Sequence, residues 1–249
     1  MENGTDFNCT VIKLSIIIPT LNEADYITGT LSSIIVNKCY ENKPEIIVVD
    51  SGSTDNTADI ARPLADKLIL IKSLSSGRWE ALNKGAESSC GEILLFLDAD
   101  TVVPKDYDKE IEKVFINKNI VGGAFEFTLD GRQFGLRVVE LINRVRYRVR
   151  HSFYGDQGFF VRSDIFHKAG MFPARRLFET SAMCRKLQRF GKLKLIKKPA
   201  LTSPRRFIEG GIYRVLLNDI KLWFSNKTKN FPDTNHADLY WQENKKRGL

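Results

Sequence analysis

The chain of 249 residues is short of cysteine and of long apolar runs, and each shortage removes a class of protein. Its four cysteines, Cys9, Cys39, Cys90 and Cys184, stand far apart, so they form neither a disulfide framework nor the paired spacing of a zinc site. They read as reduced thiols of a cytosolic protein. The apolar runs are strand-sized, well short of the roughly 20 residues that span a bilayer. Residues 1–13 mix acids and polar groups and lack the basic-then-apolar order of a secretory signal, so Asn3-Gly4-Thr5 and Asn8-Cys9-Thr10 match the glycosylation pattern by chance. No G-x-G-x-x-G follows the first apolar run, which counts against a dinucleotide-dependent oxidoreductase. No internal repeat or low-complexity linker divides the chain.

Basic charge is in excess. The net charge of +8 and a pI near 9.3 imply anionic partners, whether nucleotide phosphates, an acidic membrane face or nucleic acid. No recognised nucleic-acid module accompanies the basic residues, and nucleic acid is set aside. A hydrophobic content of 43% is enough for a sizeable core.

The runs Leu14–Ile18, Glu45–Val49, Lys67–Ile71 and Ile93–Leu97 are short, rich in β-branched residues or leucine, and bounded by turn residues, as buried parallel strands are. Helical patterns lie between them. Ile27, Leu31, Ile34 and Ile35 share a helix face with Asn22 and Asp25 as candidate caps, and Ser53 or Thr54 is a candidate cap for a helix carrying Ile60, Ala61 and Leu64. Alternation of strand and helix predicts an α/β fold with a doubly wound, mostly parallel sheet flanked by helices. Pro104 is expected to open a helix with Ile111, Val114 and Phe115 inward, and residues 124–129 read as a half-exposed strand. A second half is expected from Gly122, with a basic helix over 134–150, a Gly-rich turn at Gly155 and a helix over 181–190.

Asp98-Ala99-Asp100 closes the fourth apolar run, at the strand edge where open α/β sheets bind ligands. On an extended segment, carboxylates at i and i+2 face the same side and suit a hard divalent cation that shares its remaining positions with phosphate oxygens. Two further strand ends carry polar turns, Pro19 to Glu23 and Val48 to Asp55, where Asp50 can accept hydrogen bonds from a base or ribose and Gly52 permits close approach.

Together with Gly77-Arg78-Trp79-Glu80-Ala81-Leu82-Asn83-Lys84-Gly85-Ala86 and the segment from Gly91 to Asp100, these blocks resemble the inverting family 2 glycosyltransferases of GT-A fold. The second half resembles a short, soluble bacterial subgroup of that family. It does so through Tyr154-Gly155-Asp156-Gln157-Gly158-Phe159-Phe160-Val161-Arg162, Gly170-Met171-Phe172-Pro173 and Thr202-Ser203-Pro204-Arg205-Arg206-Phe207.

The resemblance implies a GT-A domain over 14–224, with a nucleotide-sugar half at 14–121, an acceptor half at 122–224 and polar termini at 1–13 and 225–249. It implies a UDP- or GDP-linked sugar donor and a sugar, lipid-linked or small-molecule acceptor. Asp50 would hold the base, with Thr20 and Glu23 near base and ribose, and Arg78, Asn83 and Lys84 near base or phosphates. Asp98 and Asp100 would bind Mg²⁺ or Mn²⁺ on the diphosphate. Arg205 and Arg206 resemble a shortened Arg-Trp motif and suit phosphate oxygens.

An inverting transfer needs a carboxylate base. The family's Glu-Asp pair falls on Glu179-Thr180, so Thr180 stands where the base is expected, and Glu179 and Asp156 are the remaining catalytic candidates. The resemblance implies a metal-dependent inverting glycosyltransferase acting on a hydroxyl or phosphate acceptor. A binding protein that has lost its base and a nucleotidyltransferase on a related scaffold stay open beside it. Arg137, Arg144, Arg146, Arg148 and Arg150, interleaved with Val138, Leu141, Ile142 and Val145, form a basic amphipathic stretch, and Ile212 to Phe224 adds a second. These two imply either a peripheral contact with an anionic membrane surface or two ordinary helices covering the core. The expected location is cytoplasmic, with that membrane contact on the inner face.

Overall fold

In the computed structural model, alternating buried runs pair into one continuous eight-stranded sheet. The structure describes residues 13–71, 77–150, 152–175 and 177–225, with backbone alone at 149, 150, 224 and 225. Cys9, both glycosylation patterns and the polar tail lie outside the described residues, as do the side chains of Arg150 and Phe224. Cys39, Cys90 and Cys184 are free thiols.

In chain order the elements are β1 (Leu14–Thr20), α1 (Ala24–Val36), β2 (Glu45–Asp50), α2 (Thr57–Ala61), β3 (Lys67–Leu70), α3 (Arg78–Glu87), β4 (Ile93–Phe96), β5 (Thr101–Val102), α4 (Tyr107–Phe115), β6 (Ile120–Leu129) and α5 (Phe134–Arg150). There follow a 3-10 turn (Gly155–Gln157), β7 (Phe159–Arg162), α6 (Ser163–Lys168), α7 (Glu179–Leu187), β8 (Lys192–Thr202), α8 (Arg205–Gly210) and α9 (Ile212–Ser225). The strand order is β3-β2-β1-β4-β7-β6-β8-β5. β3, β2, β1 and β4 run parallel, β7 is antiparallel to both its neighbours, β6 and β8 are parallel, and β5 is antiparallel to β8.

Period-two alternation explains the layering. In β1, Ile16 and Ile18 face a layer containing Ile27 and Leu31 of α1 and Tyr107 and Ile111 of α4, whereas Ile17 faces Ala81 and Leu82 of α3, Leu136 of α5 and Met183 of α7. Both faces are covered, so the central strands read as unbroken apolar runs. Gly85 lets α3 lie flat on the sheet: a Cβ there would fall 2.3 Å from Ile17 Cγ2.

Several local expectations are corrected. Residues 124–129 are no half-exposed strand; β6 lies between β7 and β8 and is buried along almost its whole length, Glu126 included. α4 begins at Tyr107 rather than at Pro104, although Ile111 and Phe115 are buried as expected. Ile35 is 42% exposed, so the buried stripe of α1 is narrower than its periodicity suggested. α7 spans Glu179–Leu187, starting two residues before the expected 181. Neither Asn22 nor Asp25 caps α1, and neither Ser53 nor Thr54 caps α2. The two loops cap each other instead: Asn22, Glu23 and Ala24 N–H donate to Ser53 Oγ, Thr57 Oγ1 and Asp55 Oδ2, and Thr54 N–H returns a bond to Asn22 Oδ1. Single-helix cap rules miss such an exchange because its partners are some 30 residues apart.

Candidate active site

The parallel ends of β1, β2 and β4 place Thr20, Asp50 and Asp98 along one sheet edge. Asp98-Ala99-Asp100 lies in a turn rather than on an extended segment, and three elements pin its carbonyls. Asp98 C=O accepts from Thr101 N–H at 3.1 Å, Ala99 C=O from Thr30 Oγ1 of α1 at 2.7 Å, and Asp100 C=O from Ser203 N–H at 3.1 Å. The turn therefore sends its two carboxylates to different partners.

Asp98 meets Arg78 at the start of α3, and the same guanidinium donates through Nη1 to Glu179 Oε1 at 2.6 Å, at the start of α7. Burial alone would lower the Arg78 pKa, but the two carboxylates outweigh it and hold the group firmly charged. Gly155 presses on this guanidinium: a Cβ there would lie 2.7 Å from Arg78 Nη1 and Nη2. The Gly-Asp-Gln turn can reach the hub only because its first residue has no side chain.

Asp100 meets Arg205 of α8, which donates to Glu23 Oε1 at 2.5 Å but comes no closer than 3.4 Å to Asp100 Oδ2. Tyr26 lies under the same guanidinium, 4.4 Å from ring centroid to Cζ. Compensation here is incomplete. Burial, with Asp98 and Glu23 adding to it, pushes the Asp100 carboxyl up to about 7 against the pull of Arg205, and burial likewise raises Glu23. Glu23 Oε2 is buried with no hydrogen-bond partner. An orphaned carboxylate oxygen beside an under-compensated Asp100 leaves room for one more cation, and hard oxygen donors fit Mg²⁺ or Mn²⁺. Asp100 is the residue that would hold it, with the free oxygen of Glu23 nearby, whereas Asp98, expected as a second ligand, is turned to Arg78. Among the described residues no three His, Cys, Asp or Glu side chains converge as a complete cage, so such an ion would draw further ligands from phosphate oxygens or water.

The 3-10 turn supplies another buried acid. Asp156 Oδ1 has no partner, and burial raises the carboxyl to about 6, opposed by Arg146, Arg206 and Arg78 and reinforced by Asp98. Gln157 fixes the turn by accepting from Tyr154 N–H and donating to Phe125 C=O. Arg146 of α5 stacks on the Tyr154 ring at 3.7 Å. Thr180 is buried directly behind Glu179.

The remaining candidates separate. Asp50 is buried and engaged on both oxygens: Oδ1 accepts from Gly52 and Ser53 N–H, and Oδ2 from Thr20 Oγ1 and Ser53 Oγ. Thr20 and Asp50 thus build the wall of the site. Asn83 points into the fold, where its amide donates to Phe172 C=O and accepts from Phe172 N–H, each at 3.0 Å. Lys84 is exposed and leans on Glu87. Arg206 turns away from Arg205 to pair with Asp219 of α9 and lies over the Phe207 ring. Glu23, Arg78, Asp98, Asp100, Asp156, Glu179 and Arg205 are brought together. Tyr26 and Arg146 were not foreseen; nothing in local spacing marks a ring or arginine that acts by stacking across the chain. An adjoining cleft of about 480 Å³ opens beside Asp100 and Arg205, walled by Tyr26, Gly29, Leu201 and Ile208.

A mostly parallel α/β sheet with acidic residues at its strand ends and helices on both faces is the architecture of GT-A glycosyltransferases. The comparisons agree. Residues 15–176 match the family model described as glycosyl transferase family 2, and the chain belongs to that family. It is 31% identical to the glycosyltransferase AglE of Haloferax volcanii over 169 residues, 64% of this chain and 56% of that protein. It is 42% identical to a PGL/p-HBAD biosynthesis glycosyltransferase of Mycobacterium bovis over 90 residues, 34% of each chain. The chain thus spans about half the length or less of these curated relatives. Among solved structures, the mannosyltransferase PcManGT of Pyrobaculum calidifontis, in complex with GDP-Man and Mn²⁺, superimposes with a TM-score of 0.67 at 20% identity over 91% of this chain and 67% of that one. TarS residues 1–349 of S. aureus, in complex with UDP-GlcNAc, superimposes with a TM-score of 0.62 at 18% identity over 91% and 70%. At these identities the likeness establishes the fold. Among the described residues no helix is long and apolar enough to cross a membrane.

Proposed function

We propose that the protein is an inverting glycosyltransferase that moves a sugar from a UDP- or GDP-linked donor to a hydroxyl or phosphate acceptor, using Mg²⁺ or Mn²⁺. The observation that carries this reading is the unequal compensation at the strand ends: Asp98 is in direct contact with Arg78, whereas Asp100 stands 3.4 Å from Arg205 and Glu23 Oε2 has no partner. The ligands printed for the two structural neighbours, GDP-Man with Mn²⁺ and UDP-GlcNAc, are of the same chemical class.

The ion, when bound, neutralises charge on the departing nucleoside diphosphate. The chain's own residues do the rest. Arg205, held by Glu23 and the Tyr26 ring, presents a fixed guanidinium to phosphate oxygens at the Asp100 side. Arg78 ties the donor side to the acceptor side through Asp98 and Glu179, so the two halves keep one geometry. The bonds within the Thr20–Asp50 pair and to the turn carbonyls hold the strand ends rigid, so the site keeps its shape when base and ribose bind.

Of the two acceptor-side acids, Asp156 has the unpartnered oxygen and a carboxyl near 6, which leaves it ionised yet basic at neutral pH. In our reading Asp156 takes the acceptor proton as the acceptor oxygen attacks the anomeric carbon and the bond to the diphosphate breaks. Glu179 acts as a positioning residue through Arg78. The test is calorimetric titration of UDP, GDP and their sugars with and without Mn²⁺, on wild type and Asp100→Ala. Metal-dependent binding that the variant loses supports the reading; nucleotide binding absent under every metal condition overturns it.

A further inference from the structure

The two basic amphipathic stretches meet on one surface that the strand-end site does not use. α5 and α9 pack side by side, with Ile212 against Gly135 at a would-be Cβ distance of 3.0 Å, and Val138, Ile142, Leu216 and Ile220 turned toward the core. The outward stripe of α5 is Phe134, Arg137, Leu141, Val145 and Arg148, spaced by three and four residues as one helix face requires. Phe134, Leu141 and Val145 are each more than half exposed. On α9 the outward stripe is Tyr213, Arg214, Leu217 and Lys221, with Tyr213 and Leu217 also more than half exposed.

A helix that merely covers a core points polar residues outward, and these two alternate apolar and basic ones. The acids of the pair are not on the stripe: Glu140 of α5 is buried against Arg137 and the Leu129 N–H, and Asp219 of α9 pairs with Arg206. Every charged side chain on the exposed stripes is therefore cationic. A second copy of this chain would bring like charges face to face, which is costly. An anionic bilayer complements both features at once, since exposed Phe, Tyr, Leu and Val enter the acyl boundary while arginine and lysine stay at the headgroups.

We propose that the paired outer faces of α5 and α9 dock the protein on an anionic phospholipid surface. The site is mechanically close to this surface: Arg206 ties α8 to Asp219 of α9, and its neighbour Arg205 enters the Asp100 cluster. The docking does not depend on the reading of the strand-end site, and its readout is partition rather than turnover.

The test is sedimentation of the full chain with vesicles of phosphatidylcholine alone and of phosphatidylcholine with phosphatidylglycerol, for wild type, Leu141→Glu/Leu217→Glu and Arg214→Glu/Lys221→Glu. Partition to the anionic vesicles is expected, weakened at least tenfold by either double variant and by raised salt, with little partition to phosphatidylcholine alone. Circular dichroism and the melting temperature of each variant verify that it is folded; should Leu141→Glu/Leu217→Glu unfold, Leu141→Ser/Leu217→Ser carries the same test. No partition to anionic vesicles, equal partition to both vesicle types, or partition that the folded variants retain would overturn the proposal. So would a dimer, seen by analytical ultracentrifugation, that the leucine variant converts to monomer while vesicle binding is absent.

Discussion

Two arginines do similar work at unequal reach. Arg78 springs from the first half and grips carboxylates at both ends, Asp98 and Glu179; Arg205 springs from the second half and reaches back, satisfying Glu23 while standing 3.4 Å from Asp100. The first cluster is closed and holds the fold together. The second has the same count of one arginine to two carboxylates, but Arg205 meets only Glu23 closely and leaves Asp100 at 3.4 Å, which makes it the chemically hungry half of the site. A structural ion pair and a ligand-binding ion pair can thus be told apart by whether every carboxylate is met at contact distance, even when both lie at strand ends a few residues apart.

Substitutions at the two aspartates give the largest test of that difference. Asp100→Asn should reduce kcat/KM at least a thousandfold and abolish metal-dependent nucleotide binding, yet leave the melting temperature unchanged or raised, because it removes an under-compensated carboxylate. Asp98→Asn should instead lower the melting temperature, since it strips Arg78 of a partner. Kinetics beside calorimetric melting of both variants decide it; equal stability loss in the two would erase the distinction.

Asp156→Asn comes next. Loss of a general base should lower kcat by about 10²- to 10⁴-fold with KM little changed, whereas Glu179→Gln should disturb KM as well, through Arg78. The same variant has a pH signature. The folded Asp156 keeps its proton up to about 6 and the unfolded chain releases it near the ordinary 3.8, so wild-type stability falls as pH rises through that window and stays lower above it. Asp156→Asn lacks that loss. Its stability advantage should grow from near zero at pH 4 to about 2–3 kcal/mol by pH 7, by denaturant titration at each pH. An advantage that does not change with pH would remove Asp156 from the buried acids.

Arginine removal is read on stability alone and separates the clusters again. Arg78→Ala strands two carboxylates and should cost about 3–5 kcal/mol. Arg205→Ala strands chiefly Glu23, since Asp100 is already the more distant partner, and should cost about half as much. A larger loss for Arg205→Ala would reverse the assignment of roles.

Much of this was legible in the amino-acid sequence, and unevenly so. The four parallel strands announce themselves because each is an unbroken apolar run ending in a polar turn, as Ile93 to Asp100 does; α5 announces itself by its periodicity and spans the expected 134–150. Asp98, Asp100, Arg78, Glu179 and Arg205 could be named in advance from motif blocks, but not which arginine meets which acid. That pairing depends on contacts 20 to 182 residues apart. β6 was misjudged for a related reason. Glu126 made it look half-exposed, whereas Arg144 of α5 pairs with that carboxylate inside the fold. The exchanged caps of the first two loops escaped because side chains some 30 residues away, beyond α1 and β2, satisfy the amides that local rules assign to the nearest Asn or Ser.

Asn83 and Lys84 are adjacent in a motif block that implies phosphate or base contact for both, and they provide the finest test. Asn83 spends its amide on both backbone groups of Phe172, a buried residue whose ring packs on Phe96, Phe159 and Phe166. Asn83→Ala should leave a buried N–H and C=O unpaired and cost about 1–3 kcal/mol, with nucleotide affinity altered only as far as the fold is. Lys84→Ala removes an exposed ammonium leaning 3.3 Å from Glu87, and its effect on stability should stay within about 0.5 kcal/mol. Because the ammonium is exposed and pairs with Glu87, nucleotide affinity measured by calorimetry should also stay within about twofold. A tenfold loss of UDP or GDP binding in Lys84→Ala, with the fold intact, would mean that α3 turns this residue inward when nucleotide arrives, and that the motif block is a phosphate-binding helix rather than a scaffold for Arg78.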